Sequence, residues 1–141
     1  MTAKIASIIN YLVAAGMLVF GIIYLTRGSF MSYHSEAISM EWGEMDHTSQ
    51  VLVLALMRTV SGGFLVCSIS IFFLQYRFSL ERKSWIPVLI LIIGIITQST
   101  ILYATILVRL NSPGNPPTGM AIGGTILLIA AYILNRIALR K

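Results

Sequence analysis

Between Tyr33 and His47 the chain gathers both of its histidines, His34 and His47, and four of its five carboxylates, Glu36, Glu41, Glu44 and Asp46. The sequence on either side is almost wholly apolar. Imidazoles and carboxylates move protons near neutral pH and ligate zinc or iron. His34, His47, Glu36 and Asp46 are therefore the candidate metal ligands, or the acid–base groups of a membrane enzyme. Their spacing matches no metalloenzyme signature, having neither H-E-x-x-H nor a paired E-x-x-H. Solvated histidines at a membrane surface are the plainer reading. The chain carries no nucleophile elbow, no phosphate-cradling glycine loop and no C-x-x-C.

Arg58 is the second chemical signal. It lies about seven residues inside an apolar run, roughly 10 Å below its edge at 1.5 Å per residue. A guanidinium at the centre of a membrane helix costs about 2.5–3.5 kcal/mol on the insertion scale, so it calls for a partner. The expected partners are Glu41, Glu44, Asp46 and Tyr103, with simple snorkelling to lipid phosphate as the alternative. Farther on, Gln98, Thr105 and Arg109 share one helical face, and Ser99 and Tyr103 lie on a neighbouring one. Gln98 sits near the middle of its run, where an amide must hydrogen-bond within the bundle, as interhelical glue or as a ligand contact. Arg58, Arg109, Tyr103, Gln98, Glu41, Glu44 and Trp42 form the candidate ligand-binding set.

These side chains need elements to position them, and composition names the class. The chain is 57% apolar and 11% charged over 141 residues, and its four long apolar runs are too long for a soluble core. The predicted fold is all-α: a polytopic, four-span membrane bundle forming one domain, with spans at about 5–25, 51–74, 85–108 and 120–138. The first run is too long for a signal-peptide core and reads as an uncleaved span. Asp46 or Thr48 is placed to cap the second span, and Pro87 fits the first turn of the third. Ser112-Pro113-Gly114-Asn115-Pro116-Pro117 is a rigid turn.

Four spans put both termini on one side. That side carries Lys4, Arg77, Arg82, Lys83, Arg136, Arg140 and Lys141, and the other only Arg27 and Arg109. The positive-inside rule then makes both termini cytoplasmic and the acidic loop external. Basic residues at span ends also account for the net charge of +5, so no nucleic-acid partner is expected. In the loop, Ile38, Trp42 and Met45 recur at helical spacing, predicting a short amphipathic segment on the bundle rim. Ala55, Thr59, Gly63 and Cys67, and separately Gly119 and Gly123, are small residues at four-residue spacing. They suit close helix packing, within the bundle or against a second copy or another membrane protein. Cys67, the single cysteine, reads as a packing residue.

Gly21-Ile22-Ile23-Tyr24-Leu25, Tyr33-His34-Ser35-Glu36-Ala37, Trp42, Leu54-Ala55-Leu56-Met57-Arg58 and Gly62-Gly63 together resemble small four-span bacterial inner-membrane proteins, loosely DoxX-like. The resemblance implies a four-helix bundle in a bacterial cytoplasmic membrane and no established activity. Some DoxX-like proteins are linked to quinone-dependent thiosulfate oxidation, but no catalytic residue carries over. The function expected from the residues is binding: Arg58 and Arg109 take the polar head of a lipid, quinone-like or other amphiphilic molecule, and the bundle takes its tail. A membrane enzyme built on the histidine and carboxylate cluster is the alternative, and an oligomeric transporter or channel component a weaker one. The sequence names no cofactor.

Overall fold

The computed structural model describes residues 1–140; Lys141, one of the basic residues counted above, lies outside them. The described chain is helical throughout: α1 (Thr2–Thr26), α2 (Ser32–Ile38), α3 (His47–Glu81), α4 (Trp85–Asn111) and α5 (Thr118–Ala138), with a 3-10 turn at Trp42–Glu44. α1, α3, α4 and α5 are each long and apolar enough to cross a membrane. α1 packs against α3 and α5, and α4 packs against the same two. Spans adjacent in sequence are therefore adjacent in space, and the described chain begins and ends opposite α2.

Local chemistry sets the helix ends. The Asp46 carboxylate accepts the Ser49 N–H at 3.0 Å and caps α3. Hydrogen bonding to Ser49, first by its side chain and then by its N–H, holds the Asp46 carboxyl below its ordinary range. α3 has 35 residues, about 52 Å at 1.5 Å per residue, against a hydrocarbon core of about 30 Å. It runs past residue 74, where the second span was expected to end, and stops where Arg82 turns left-handed at φ 53°. Pro87 falls in the first turn of α4 as expected. The amphipathic segment is not one helix. Ser39 takes φ 52° and ends α2, so Ile38 and the 3-10 turn of Trp42 lie on separate pieces of backbone.

The buried face of α3 repeats at alternate steps of four and three: Met57, Ser61, half-buried Phe64, Ser68, Ile71, Gln75 and Phe78. That 3.5-residue period keeps one seam turned towards a neighbouring helix. Every seventh residue on it is polar and reaches α1. The Ser61 hydroxyl donates to the Gly21 carbonyl at 2.8 Å, the Ser68 hydroxyl to the Ala14 carbonyl at 2.7 Å, and the Gln75 amide to Ser7 Oγ at 2.8 Å. Gly21 lets the helices close here, since a Cβ would lie 2.8 Å from Leu65 Cδ2.

Gln75 also ties in the last helix. Its Oε1 accepts from Asn10 Nδ2 at 2.7 Å and from Asn135 Nδ2 at 3.3 Å, joining α1, α3 and α5. Asn10, Gln75 and Asn135 are at most 1% exposed, and the carbonyl oxygens of both asparagines lack partners. On the opposite seam, a Cβ at Gly94 would strike Leu128 Cδ1 at 2.5 Å, and one at Gly124 would strike the Gln98 amide. α4 and α5 thus each offer a glycine to the other's long side chain. The glycines singled out from sequence are different ones. Gly63, Gly119 and Gly123 have open space where a Cβ would sit, and Ala55 and Thr59 are exposed. Cys67 turns inward, accepting a hydrogen bond from Thr97 Oγ1 at 3.2 Å.

Candidate functional site

A cavity of about 340 Å³ lies in the half of the bundle nearer α2. Its walls come from α1 (Leu12, Gly16, Phe20), α4 (Gln98, Ile101) and α5 (Met120, Gly124, Leu127), among others, with Phe64 of α3 behind. None of its lining residues is charged. Gln98 is 6% exposed and lines it, held against Gly124 of the facing helix. Thr105, one face along α4, also lines it, with its hydroxyl donating to the Leu102 carbonyl at 3.0 Å.

α2 borders the cavity at one end. Tyr33 lines it and shares a hydrogen bond with the Tyr24 hydroxyl of α1. Burial, and secondarily that bond, push the Tyr33 phenol further up from its ordinary value, so it stays neutral. Two contacts hold α2 in place. Gly114, in the α4–α5 turn, approaches so closely that a Cβ would lie 2.7 Å from Ala37 Cβ and 2.8 Å from the Tyr33 carbonyl. The Asn115 N–H donates to Glu36 Oε2 at 3.2 Å.

His34 sits half-buried among rings, its own ring centroid 4.1 Å from Tyr33 and 6.4 Å from both Tyr24 and Phe30. Its Nδ1 accepts the Met31 N–H at 3.2 Å, closing the first turn of α2. Phe30 in turn packs edge-on against Trp42 at 5.0 Å, and the Trp42 carbonyl accepts from Gln50 Nε2 at 2.8 Å.

The residues expected to form one site are distributed differently. Among the described residues no three of His, Cys, Asp and Glu gather where they could hold a metal ion. His34 is in the aromatic cluster, Glu36 on the α4–α5 turn, Asp46 on the α3 cap, and His47 exposed at the start of α3. Arg58 was expected to bond Glu41, Glu44, Asp46 or Tyr103. Instead it is half-buried, its guanidinium donating to the Leu54 carbonyl of its own helix at 3.4 Å. Tyr103 is 71% exposed and Arg109 is exposed, because both occupy the outward side of α4. Glu41 accepts from Ser35 Oγ at 3.0 Å and Glu44 from the Glu41 N–H at 2.8 Å, closing the loop on itself. Of the expected ligand set, Gln98 alone lines the cavity. Gly16, Gly124 and the Tyr24–Tyr33 pair were missed; the aromatic run Phe30, Tyr33, His34, Trp42 was the available signal.

No protein-family model matches the chain, and neither a curated protein nor a solved structure matches it.

His34 makes the cap sensitive to acid. Burial lowers its pKa from the ordinary 6.5. The rings facing it, Tyr24 of α1, Phe30, and Tyr33 of α2, bring no carboxylate to offset this. The released chain therefore takes the proton first. Docking of α2 is undiminished above pH about 6.5 and weakens as pH falls below it towards the lowered folded value. Protonation also removes the acceptor for the Met31 N–H. Hydrogen exchange of residues 31–38, corrected for its intrinsic pH dependence, is expected to speed up between pH 7.5 and 5. His34→Gln keeps an acceptor at this capping position without titrating and should flatten the profile; an unchanged profile would refute the role.

Proposed function

We propose that the chain is an integral membrane protein that binds an amphiphilic small molecule, a lipid or quinone-like compound, in the cavity between α1, α4 and α5, as a binding or accessory component. What carries this reading is the pairing of an apolar cavity with a nearly buried Gln98 amide that makes no hydrogen bond among the described residues. Ligand cavities are mostly apolar, run from about 300 to 1,000 Å³, and hold a few polar groups that orient the occupant.

The membrane in this proposal is a bacterial cytoplasmic one, with both termini inside, on the asymmetry of Lys and Arg between the two ends. A cysteine placed at Asn115, with Cys67 replaced, is then labelled by a membrane-impermeant reagent from outside the cell. Labelling only from the cytoplasmic side reverses the orientation. The exposed small residues Ala55, Thr59 and Gly63 of α3 are the face proposed for self-association.

The binding reading is tested by native mass spectrometry of protein extracted in mild detergent. The wild type is expected to retain an amphiphile, and Gly16→Trp to lose it. Gly16 lines the cavity and has no neighbour within 4 Å of where a Cβ would sit, so the indole has room to enter without moving a helix. Bare wild-type chain, or the same adduct on Gly16→Trp, would remove the basis for the proposal.

A further inference from the structure

Four cavity-lining residues of α1 and α5 also face outward. Leu12 is 63% exposed and Gly16 is exposed on α1; Met120 is 61% and Leu127 41% exposed on α5. The cavity therefore opens sideways, along the α1–α5 seam, onto surface that the spans present to acyl chains. At the α2 end it is lined by Tyr33 and Pro117. An occupant reaches Gln98 from the bilayer, with its head crossing apolar surface on the way.

The lining restricts that head. Arg58 and Arg109, the expected anion contacts, do not reach the cavity, and neither does any carboxylate or histidine. An ionised head would lie there unpaired, a burial that groups avoid by neutralising or staying out. The polar groups available are the Thr105 hydroxyl, whose proton is already given to Leu102, the Tyr24–Tyr33 pair, where one hydroxyl donates to the other and a single O–H is left over, and Gln98, the one group there with both donors and an acceptor unused. The Gln98 amide offers two N–H donors and a carbonyl acceptor. A carbonyl head satisfies only the donors. A hydroxyl satisfies both sides, accepting from Nε2 and donating to Oε1.

Building on the amphiphile reading above, we infer that the occupant is an uncharged lipid whose head is a hydroxyl, taken laterally from the membrane through the α1–α5 seam and held by Gln98. A long-chain alcohol and a diacylglycerol share this chemistry.

The test uses the full chain in nanodiscs of zwitterionic lipid. A long-chain alcohol, its methyl ether and the fatty-acid carboxylate of the same chain are added, and apparent melting temperature is read, since a ligand of the native state raises it. The alcohol is expected to raise it by about 5 °C near saturation, and the ether and carboxylate by less than half as much. Gln98→Leu, which keeps volume while deleting the amide, should bring the alcohol down to the level of the ether. Gly16→Trp should abolish all three shifts. An ether or carboxylate as effective as the alcohol on the wild type overturns the hydroxyl-lipid inference and leaves amphiphile binding standing. Equal shifts for wild type and Gly16→Trp overturn both. A diacylglycerol arm beside the alcohol separates the two sources of the same head group.

Discussion

Replacing Gln75 with leucine is expected to destabilise the bundle by about 2–4 kcal/mol, the largest effect of any polar substitution in the chain. The change strands two buried donors, Asn10 Nδ2 and Asn135 Nδ2, which both point at Gln75 Oε1, and it removes the amide donated to Ser7. A buried polar group left unpaired costs about 1–3 kcal/mol, and hydrogen bonds inside membrane bundles fall towards the low end of such values. The triple variant Asn10→Leu/Gln75→Leu/Asn135→Leu should recover most of the loss, because removing all partners leaves nothing stranded. Reversible unfolding in mixed micelles measures both. A single variant within about 1 kcal/mol of wild type, or a triple variant worse than the single, would show that the cluster is not holding the three helices.

Gly114→Val is expected to have the second-largest effect, confined to one end of the molecule. The obstacle to a Cβ there includes backbone, the Tyr33 carbonyl at 2.8 Å, which cannot rotate away as a side chain can. Overpacking of this kind costs about 1–3 kcal/mol, and α2 is the element free to yield. Hydrogen exchange and proteolysis should accelerate over Ser32–Ile38 and leave α1, α3, α4 and α5 unchanged. The cavity would lose Tyr33 from its lining, so retention of the proposed amphiphile should fall. Gly28→Val and Gly43→Val are the controls, since neither glycine has a neighbour within 4 Å of its would-be Cβ. Equal exchange in Gly114→Val and the controls would show that α2 is held by something other than this contact.

The spans were legible because span length and apolarity alone identify a membrane helix, and the boundaries erred chiefly where α3 continues past residue 74. Gln75 falls just past the expected span end, yet Ile71, Gln75 and Phe78 share one face, which marks a helix still facing the core. Gln98 was legible as a buried amide near a span midpoint. Arg58, Tyr103 and Arg109 were expected to converge on a pocket, and the structure leaves all three out of the cavity lining. Depth along a helix follows from counting residues, but the direction a side chain points follows from which neighbours flank the helix. Met57 and Ser61 are buried, and that turns Arg58 partly away from the bundle. The loop stripe Ile38, Trp42, Met45 failed at Ser39, whose left-handed turn no periodicity announces. The Asn10, Gln75 and Asn135 cluster joins residues 60 and 65 positions apart, beyond the reach of any local pattern.

The seven-residue ladder between α1 and α3 behaves like a vernier scale. Ser61 and Ser68 each bond a main-chain carbonyl, and main-chain carbonyls are present at every position. Slide α3 along α1 by one heptad, about 10.5 Å at 1.5 Å per residue, and either hydroxyl finds an equivalent acceptor. Those two rungs grip without indexing. The Gln75 rung differs, because its partners are side chains, Ser7, Asn10 and, from a third helix, Asn135. It is the graduation mark that distinguishes one setting of the scale from the next. The Gln98 cavity, at the far end of the same helices, inherits its alignment from that mark.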